Sequence, residues 1–382
     1  MRSNKRLLFV ANDPGSLVSH RLPIVLGAKE AGYDVHVACP DGPACDVIRG
    51  HEIALHILPV RRGGTNPLSE LIGLVALCIL VWRLRPGLLH AITLKPVIYG
   101  GLAARFCRVP VMVSAIAGLG STFIGTSFKP RVLQMIIHGL LRSSLAHPNL
   151  TVIVQNPDDE AEIIKLAGIP GTAITQIRGS GISLARYPVR NEPLAPVKVV
   201  MASRLLLDKG LREFVEAAAL VRAQLPGTQF AVAGDLDNEN ATSVPPDLLE
   251  KWRAAGNVAF SGHVTDIAKF YADAHIVVLP SYREGLPRSL IEAAACARAI
   301  VTTDAPGCNH AVIPDITGLL VPVRDAEALA VAIMRLCVDD TLRRRMGQAG
   351  RAFAEKEFAI ETVLARHLEI YAELLKRSGN AF

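Results

Sequence analysis

At 382 residues, half of them hydrophobic, the chain has the length and apolar content for two domains with separate cores. Its mean hydropathy of +0.32 is high for a freely soluble protein. Yet no uninterrupted apolar run reaches the ~18–20 residues of a spanning helix; the longest, residues 71–82, is 12 residues and ends at Arg83 and Arg85. Seven cysteines without a CxxC pair exclude a zinc site and a disulfide framework and point to a reduced, cytoplasmic setting. The net charge of +6 belongs to the first half: residues 1–190 carry 20 Lys+Arg against 11 Asp+Glu, whereas residues 191–382 carry 21 against 24.

The chain opens with a basic start and a short apolar run, residues 7–11, before Asn12 and Asp13, which reads as a first β-strand and not a signal peptide. A loop over 12–16, a helix over 17–31 stopped by Gly32 and a strand over 34–39 make the opening of a Rossmann-like domain. G-x-G-x-x-G is missing, but Gly15 still lets a phosphate approach the backbone. In the phrase Ser19-His20-Arg21-Leu22-Pro23, His20 suits a proton relay or acceptor contact, or equally a packed or solvated histidine. Residues 52–60 alternate as a strand, 67–84 form an apolar helix, and 87–93 are a strand running into Leu94-Lys95-Pro96. A lysine just past a strand's carboxyl end faces a cleft, so Lys95 suits a phosphate. A helix begins near Gly100, and the strand at 110–116 leads into a flexible turn holding Gly118 and Gly120 on the same side.

Residues 71–157 contain no Asp or Glu but eight Lys or Arg. An apolar, basic, acid-free stretch suits an anionic bilayer surface or lipid headgroup; it is too apolar and too poor in aromatics for nucleic acid. Within it, an amphipathic helix over 129–145, with Arg131, His138 and Arg142 beside Leu and Ile, is the best candidate to rest on lipid. A strand at 151–155 and a helix start at Asn156-Pro157-Asp158 follow. The first domain is expected to span 1–190, and the polar, proline-bearing segment 188–196 reads as a linker.

The second domain, 197–359, begins with a strand over 197–201. Ser203, Arg204 and Lys209 follow it directly. An arginine fork and a lysine point charge at a strand's carboxyl end suit a diphosphate whose charge grows as a bond to it breaks. Further strands at 229–233 and 257–260 lead to Gly234-Asp235 and to His263-Val264. The densest signal is residues 276–295, IVVLPSYREGLPRSLIEAAA: a buried parallel strand stopping at Pro280, a polar loop, and a helix starting near Pro287. Ligands in open α/β sheets sit beyond the carboxyl ends of strands, and a helix N-terminus favours phosphate. Glu284 and Glu292, eight apart, would repel that phosphate and make better sense as acceptors for hydroxyls of a sugar and a ribose. Helices at 326–337, 341–357 and 360–377 close the chain; the last, within 360–382, is expected to return to the first domain.

Glu284-Gly285-Leu286-Pro287 with Glu292 matches the E-x7-E signature of retaining glycosyltransferases of family 4, and the wording LPSYREGLPRSLIEAAAC resembles the bacterial branch that extends polyprenyl-diphosphate-linked saccharides. The resemblance implies an α/β protein of GT-B fold, with two Rossmann-like domains facing each other across a cleft, acceptor on the first and nucleotide sugar on the second. It implies catalytic roles for Arg204, Lys209 and Glu284. Donor binding would involve Gly15, Ser203, His263, Val264, Gly285, Leu286, Pro287 and Glu292 with those three; the acceptor would meet His20, Arg21, Lys95, Gly118 and Gly120. Relatives usually place Asp where this chain has Ser183, which leaves that loop's role open. They also place a histidine near the sugar, for which His20 and His90 are the candidates. No metal and no cofactor beyond a UDP-linked sugar is implied. The expected reaction moves a hexose or N-acetylhexosamine to a polyprenyl-diphosphate-linked saccharide, with the protein peripheral on the inner face of the plasma membrane. Alternatives are a sugar-nucleotide epimerase of the same fold, against which the acid-free stretch argues, a transferase with a non-lipid acceptor, and a nucleotide-sugar-binding protein without catalysis.

Overall fold

The computed structural model describes residues 5–60, 66–116, 118, 131–237 and 240–379, with the backbone alone over 131–134. The chain forms two compact units, residues 1–181 with 361–382, and residues 182–360. The first contains β1 (Arg6–Val10), α1 (Pro14–His20), α2 (Leu22–Glu30), β2 (Asp34–Cys39), α3 (Cys45–Gly50), β3 (Ala54–Ile57), α4 (Pro67–Leu84), β4 (Leu88–Ile92), α5 (Leu94–Phe106), β5 (Val111–Ile116), α6 (Arg131–Leu145), β6 (Leu150–Val154), α7 (Pro157–Ala167) and β7 (Ile174–Gln176). The second contains β8 (Lys198–Ala202), α8 (Leu211–Gln224), β9 (Gln229–Ala233), α9 (Pro246–Ala255), β10 (Ala259–Phe260), α10 (Ile267–Ala272), β11 (Ile276–Leu279), α11 (Arg288–Ala295), β12 (Ala299–Thr303), β13 (Gly318–Val321), α12 (Ala326–Val338) and α13 (Asp340–Glu357). The last helix, α14 (Ile360–Gly379), belongs almost wholly to the first unit.

Each unit is a parallel sheet with the doubly wound strand order. The first runs β3-β2-β1-β4-β5-β6-β7 and the second β10-β9-β8-β11-β12-β13. Strands β4, β5, β6, β11 and β12 are buried at every residue, because helices cover both faces and a parallel strand then needs apolar residues throughout. Chain order reverses between β1 and β4 and between β8 and β11, and the loops beyond those strands flank each reversal.

Four features differ from the sequence expectation. The first helix is broken at Arg21 into α1 and α2; Pro23 has no N–H and its ring would clash with the carbonyl a turn back. Helix α5 starts at Leu94, not near Gly100, so Lys95 lies in its first turn. The break between units falls after Gly181, and the segment expected as a linker packs within the second unit. There Glu192 forms a buried pair with Arg343 (Nη2 at 2.9 Å and Nε at 3.1 Å), and Arg298 donates to the carbonyl of Arg190 at 3.0 Å. Finally, α4 spans the 67–84 expected of it, but taken whole it is long and apolar enough by length and composition to cross a membrane, although its inward residues Gly73, Leu77 and Val81 pack against the first unit's core.

Candidate active site

In the second unit the loops beyond β8 and β11 lie side by side at the strand-order reversal. Tyr282 N–H donates to the carbonyl of Asp208 at 2.9 Å, and Ser281 Oγ lies 3.1 Å from the same carbonyl. Gly210 permits this approach: its φ is +73°, and a Cβ there would sit 2.0 Å from the carbonyl oxygen of Pro280. The result brings Lys209 Nζ to 2.5 Å from Glu284 Oε1, which also accepts from the Ser281 hydroxyl at 2.8 Å. Both members of the ion pair are largely withdrawn from water, with side chains 18% and 15% exposed. Glu284 is placed by its backbone as well, since its N–H donates to Pro306 at 2.9 Å and a Cβ on Gly307 would fall 2.2 Å from its carbonyl oxygen.

Arg204 follows β8 and donates through Nη1 to the carboxylate of Asp237 beyond β9. Its side chain is 43% exposed, so the guanidinium keeps a face toward solvent. Ser203 donates its hydroxyl to the Arg204 carbonyl at 3.0 Å. His263 is exposed, with Nδ1 at 3.9 Å from Asp235, while Val264 packs against the unit's core. Leu286 is buried and Pro287 is the N-cap of α11, so the helix begins at Arg288, directly after the Glu284–Pro287 loop.

Glu292 lies one and a half turns into α11 and is buried. Its Oε1 accepts from the Tyr187 hydroxyl at 2.6 Å and from Arg288 Nε at 2.8 Å. Burial pushes the Tyr187 phenol well above its ordinary range, and the Glu292 carboxylate pushes it further, so it stays a donor. Burial alone would lower the Arg288 guanidinium; Glu292 reverses that and holds it charged. Sequence reasoning missed Tyr187, Asp237 and Arg288. Of these only Arg288 left a signal, its i,i+4 spacing from Glu292.

In the first unit, Gly15 N–H donates to Asp13 Oδ1 at 3.0 Å at the start of α1, beyond β1. Beyond β4, Thr93 has a φ of +72°, an uncommon strain for a β-branched residue, and its hydroxyl donates to Asn12 Oδ1 at 2.9 Å. These two loops meet at the reversal through the Thr93–Asn12 bond, and the Gly15 N–H expected to meet a phosphate is taken by Asp13. Lys95, expected to face a phosphate, is instead 3.0 Å from Glu70 on α4. Arg21, expected at the acceptor, is only 3% exposed: it sits with His90, His367 and Tyr371 between the sheet and α14, and burial lowers its guanidinium to about 10. His90, offered as a sugar-side histidine, is fully buried with Nδ1 2.6 Å from the Tyr371 hydroxyl. His20 is half-buried at the end of α1, and Gly118 has φ +81°. Gly120 lies outside the described residues, among which no group of His, Cys, Asp and Glu side chains could hold a metal ion.

Two families match the chain: residues 188–353 match the one described as glycosyl transferases group 1, and residues 6–156 the one described as glycosyl transferase 4-like. The chain is 26% identical to an N,N'-diacetylbacillosaminyl-diphospho-undecaprenol alpha-1,3-N-acetylgalactosaminyltransferase of Campylobacter jejuni, over 97% of this chain and 99% of the relative. It is 28% identical to a glycogen synthase of Mycobacterium tuberculosis over 75% of this chain and 69% of that one. Among solved structures it resembles Anabaena HepE in complex with UDP, at a TM-score of 0.77 and 18% identity, covering 96% of this chain and all of that one, which shows the fold. Residues 6–156 are thus a glycosyl transferase 4-like domain and residues 188–353 a glycosyl transferases group 1 domain, and the chain is a sugar-transferring enzyme of GT-B fold.

Proposed function

We propose that the enzyme is a retaining, metal-independent transferase that moves a hexose or N-acetylhexosamine from a UDP-sugar to a polyprenyl-diphosphate-linked saccharide, working from the cytoplasm at an anionic membrane surface. The observation that carries this reading is the Lys209–Glu284 pair at the strand-order reversal, with Arg204 on the same loop. A diphosphate seated there meets two cations whose attraction grows as the glycosyl bond breaks and charge moves onto the leaving oxygen. The N-terminus of α11, which begins directly after Pro287, adds the positive end of the helix dipole. Glu284, acceptor only, orients donor sugar hydroxyls. Glu292 holds the ribose through Oε2, because Oε1 is already taken by Tyr187 and Arg288. The acceptor oxygen then attacks from the face the diphosphate leaves, and its proton passes to the departing phosphate oxygen. A lipid-linked acceptor is supported by the Campylobacter relative, whose name gives an alpha-1,3 product on a diphospho-undecaprenol. UDP as the nucleotide is supported by the HepE complex.

The test incubates the protein with individual UDP-sugars and a polyprenyl-diphosphate-linked monosaccharide, with and without EDTA, and reads the product's anomeric configuration by NMR. Transfer with retained configuration, unchanged by EDTA, is expected. An inverted product removes the same-face mechanism. An epimerised donor without acceptor returns the epimerase, and transfer to soluble glucan alone replaces the lipid acceptor.

A further inference from the structure

Helix α4 presents a continuous apolar stripe to solvent. Leu68, Leu71, Ile72, Val75, Ile79 and Trp82 are all exposed, and their spacing of three, four or one residues puts them on one side of the helix. The opposite side holds Gly73, Leu77 and Val81, so along that side the helix packs on the first unit's core. Its one acidic residue, Glu70, is neutralised inward by Lys95 at 3.0 Å and by the Tyr99 hydroxyl. The stripe is therefore free of charge until Arg83.

The neighbouring helices extend this surface. α5 packs between α4 and α6. It is close to α6 because a Cβ on Gly101 would fall 2.5 Å from the Ser144 carbonyl oxygen. α6 adds exposed Met135, Ile136 and Leu140 on the far side. At the C-terminal end of the layer, Cys107 Sγ reaches the Cys78 carbonyl at 3.5 Å, which joins the end of α5 to α4. Exposed Phe106 sits there between exposed Arg105 and Arg108, beside Trp82, Arg83 and Arg85 on the α4 side. Arg105, Arg108 and Arg377 also line a cavity of about 610 Å³ at that end.

From this we infer that the outer face of the α4–α5–α6 layer lies on an anionic phospholipid bilayer, with α4 sunk along its length among the acyl chains and the terminal arginines meeting headgroup phosphates. Three observations select a bilayer over a second protein. The apolar area is one stripe on one helix, larger than the scattered exposed residues of an ordinary surface. Within the layer itself, residues 71–157, the charged side chains are all Lys or Arg, with no Asp or Glu; a protein-binding surface would mix signs. And Trp82 next to Arg83 and Arg85 is the composition that anchors helix ends at the level of headgroups. The inference deepens the proposed function, since it names the surface on which a lipid-linked acceptor is met and rests on that reading for its biological purpose.

The test uses the full chain with Trp252→Phe, which leaves Trp82 as the sole tryptophan. Vesicles of phosphatidylcholine alone or mixed with phosphatidylglycerol are added without donor or acceptor, and a parallel set carries brominated acyl chains. A blue shift of Trp82 emission and quenching by bromine are expected on the anionic vesicles. Ile79→Glu with Leu71→Glu should weaken vesicle binding by roughly tenfold or more, as charge on an inserted face does. Arg83→Ser with Arg85→Ser leaves the apolar stripe intact and should cost roughly fivefold per arginine on anionic vesicles only. Emission that ignores vesicles overturns the inference. So does a dimer, already blue-shifted without lipid, that Ile79→Glu separates, because the occupant is then a second copy. Transfer to a short-chain, water-soluble acceptor is measured separately and should be the same in all these variants. Wild-type protein that docks but transfers nothing refutes the catalytic reading and leaves the docking surface standing.

Discussion

Replacing Lys209 by alanine tests the catalytic reading most directly, because the structure separates its two effects. A lysine charge about 4 Å from a diphosphate oxygen, in an effective dielectric of about 20, interacts by about 4 kcal/mol. Part of that is already felt when the donor binds; the rest appears as charge builds on the leaving oxygen. Loss of comparable electrostatic stabilisers slows turnover by about 10²–10³-fold, close to 3–4 kcal/mol. The stability effect is smaller. Glu284 loses its cation but keeps the Ser281 hydroxyl at 2.8 Å, and its side chain is 15% exposed. The expected cost is about 1–2 kcal/mol, a fall of roughly 2–4 °C in Tm per kcal/mol for a unit of this size. Initial rates at saturating donor, alongside thermal melts followed by circular dichroism, distinguish the two. A Lys209→Ala enzyme that turns over within about threefold of wild type, where the electrostatic account requires 10²–10³-fold, shows that the charge does no catalytic work.

Tyr187→Phe removes one of the two donors to Glu292 Oε1 at a cost of about 1 kcal/mol; donor KM should rise several-fold with kcat nearly unchanged, and an equal fall in kcat would place Glu292 at the reacting sugar instead. Gly307→Ala sets a Cβ 2.2 Å from the Glu284 carbonyl oxygen at a φ of +81°, so a loss of more than about 4 kcal/mol and poor soluble yield are expected; a melting temperature equal to wild type contradicts the packing described here. Stability should also fall in acid through the buried histidines of the first unit. Burial, then the nearby Arg21 charge, lowers His367 to about 3, and His90 is lowered by burial, by His367 and by Arg21. In the unfolded chain each titrates near 6.5, so between that value and the folded one the unfolded state binds more protons. Stability is full above the unfolded value and declines as pH falls below it, by an amount on the order of 1 kcal/mol per histidine per pH unit. Urea unfolding across that window measures it, and His367→Phe should flatten the slope; an unchanged slope refutes the assignment.

Both sheets were legible in the sequence because a parallel strand covered on two faces must be apolar throughout, so IVVL at 276–279 and TVIVQ at 151–155 declare themselves locally. The strand-end positions of Glu284, Arg204 and Lys209 were legible for a related reason: they follow apolar strands whose carboxyl ends are where such sheets bind ligands. What the sequence could not supply was whom each side chain meets. Tyr187 reaches Glu292 across 105 positions, and no local pattern carries that pairing. Lys95 has the right strand-end position for a phosphate but is claimed by Glu70 from the preceding helix. Arg21 reads as a surface cation until the break before Pro23 and the return of α14 enclose it. The lipid-facing helix shows the same limit: periodicity favoured 129–145, whereas α4, apolar almost all round, has no sequence marker for which side is buried. Only packing against the sheet decides that, leaving six large side chains in water. Composition and spacing act along the chain and determine elements and strand-end loops; partners and exposed faces depend on contacts between distant segments, which exist only once the sheet has closed.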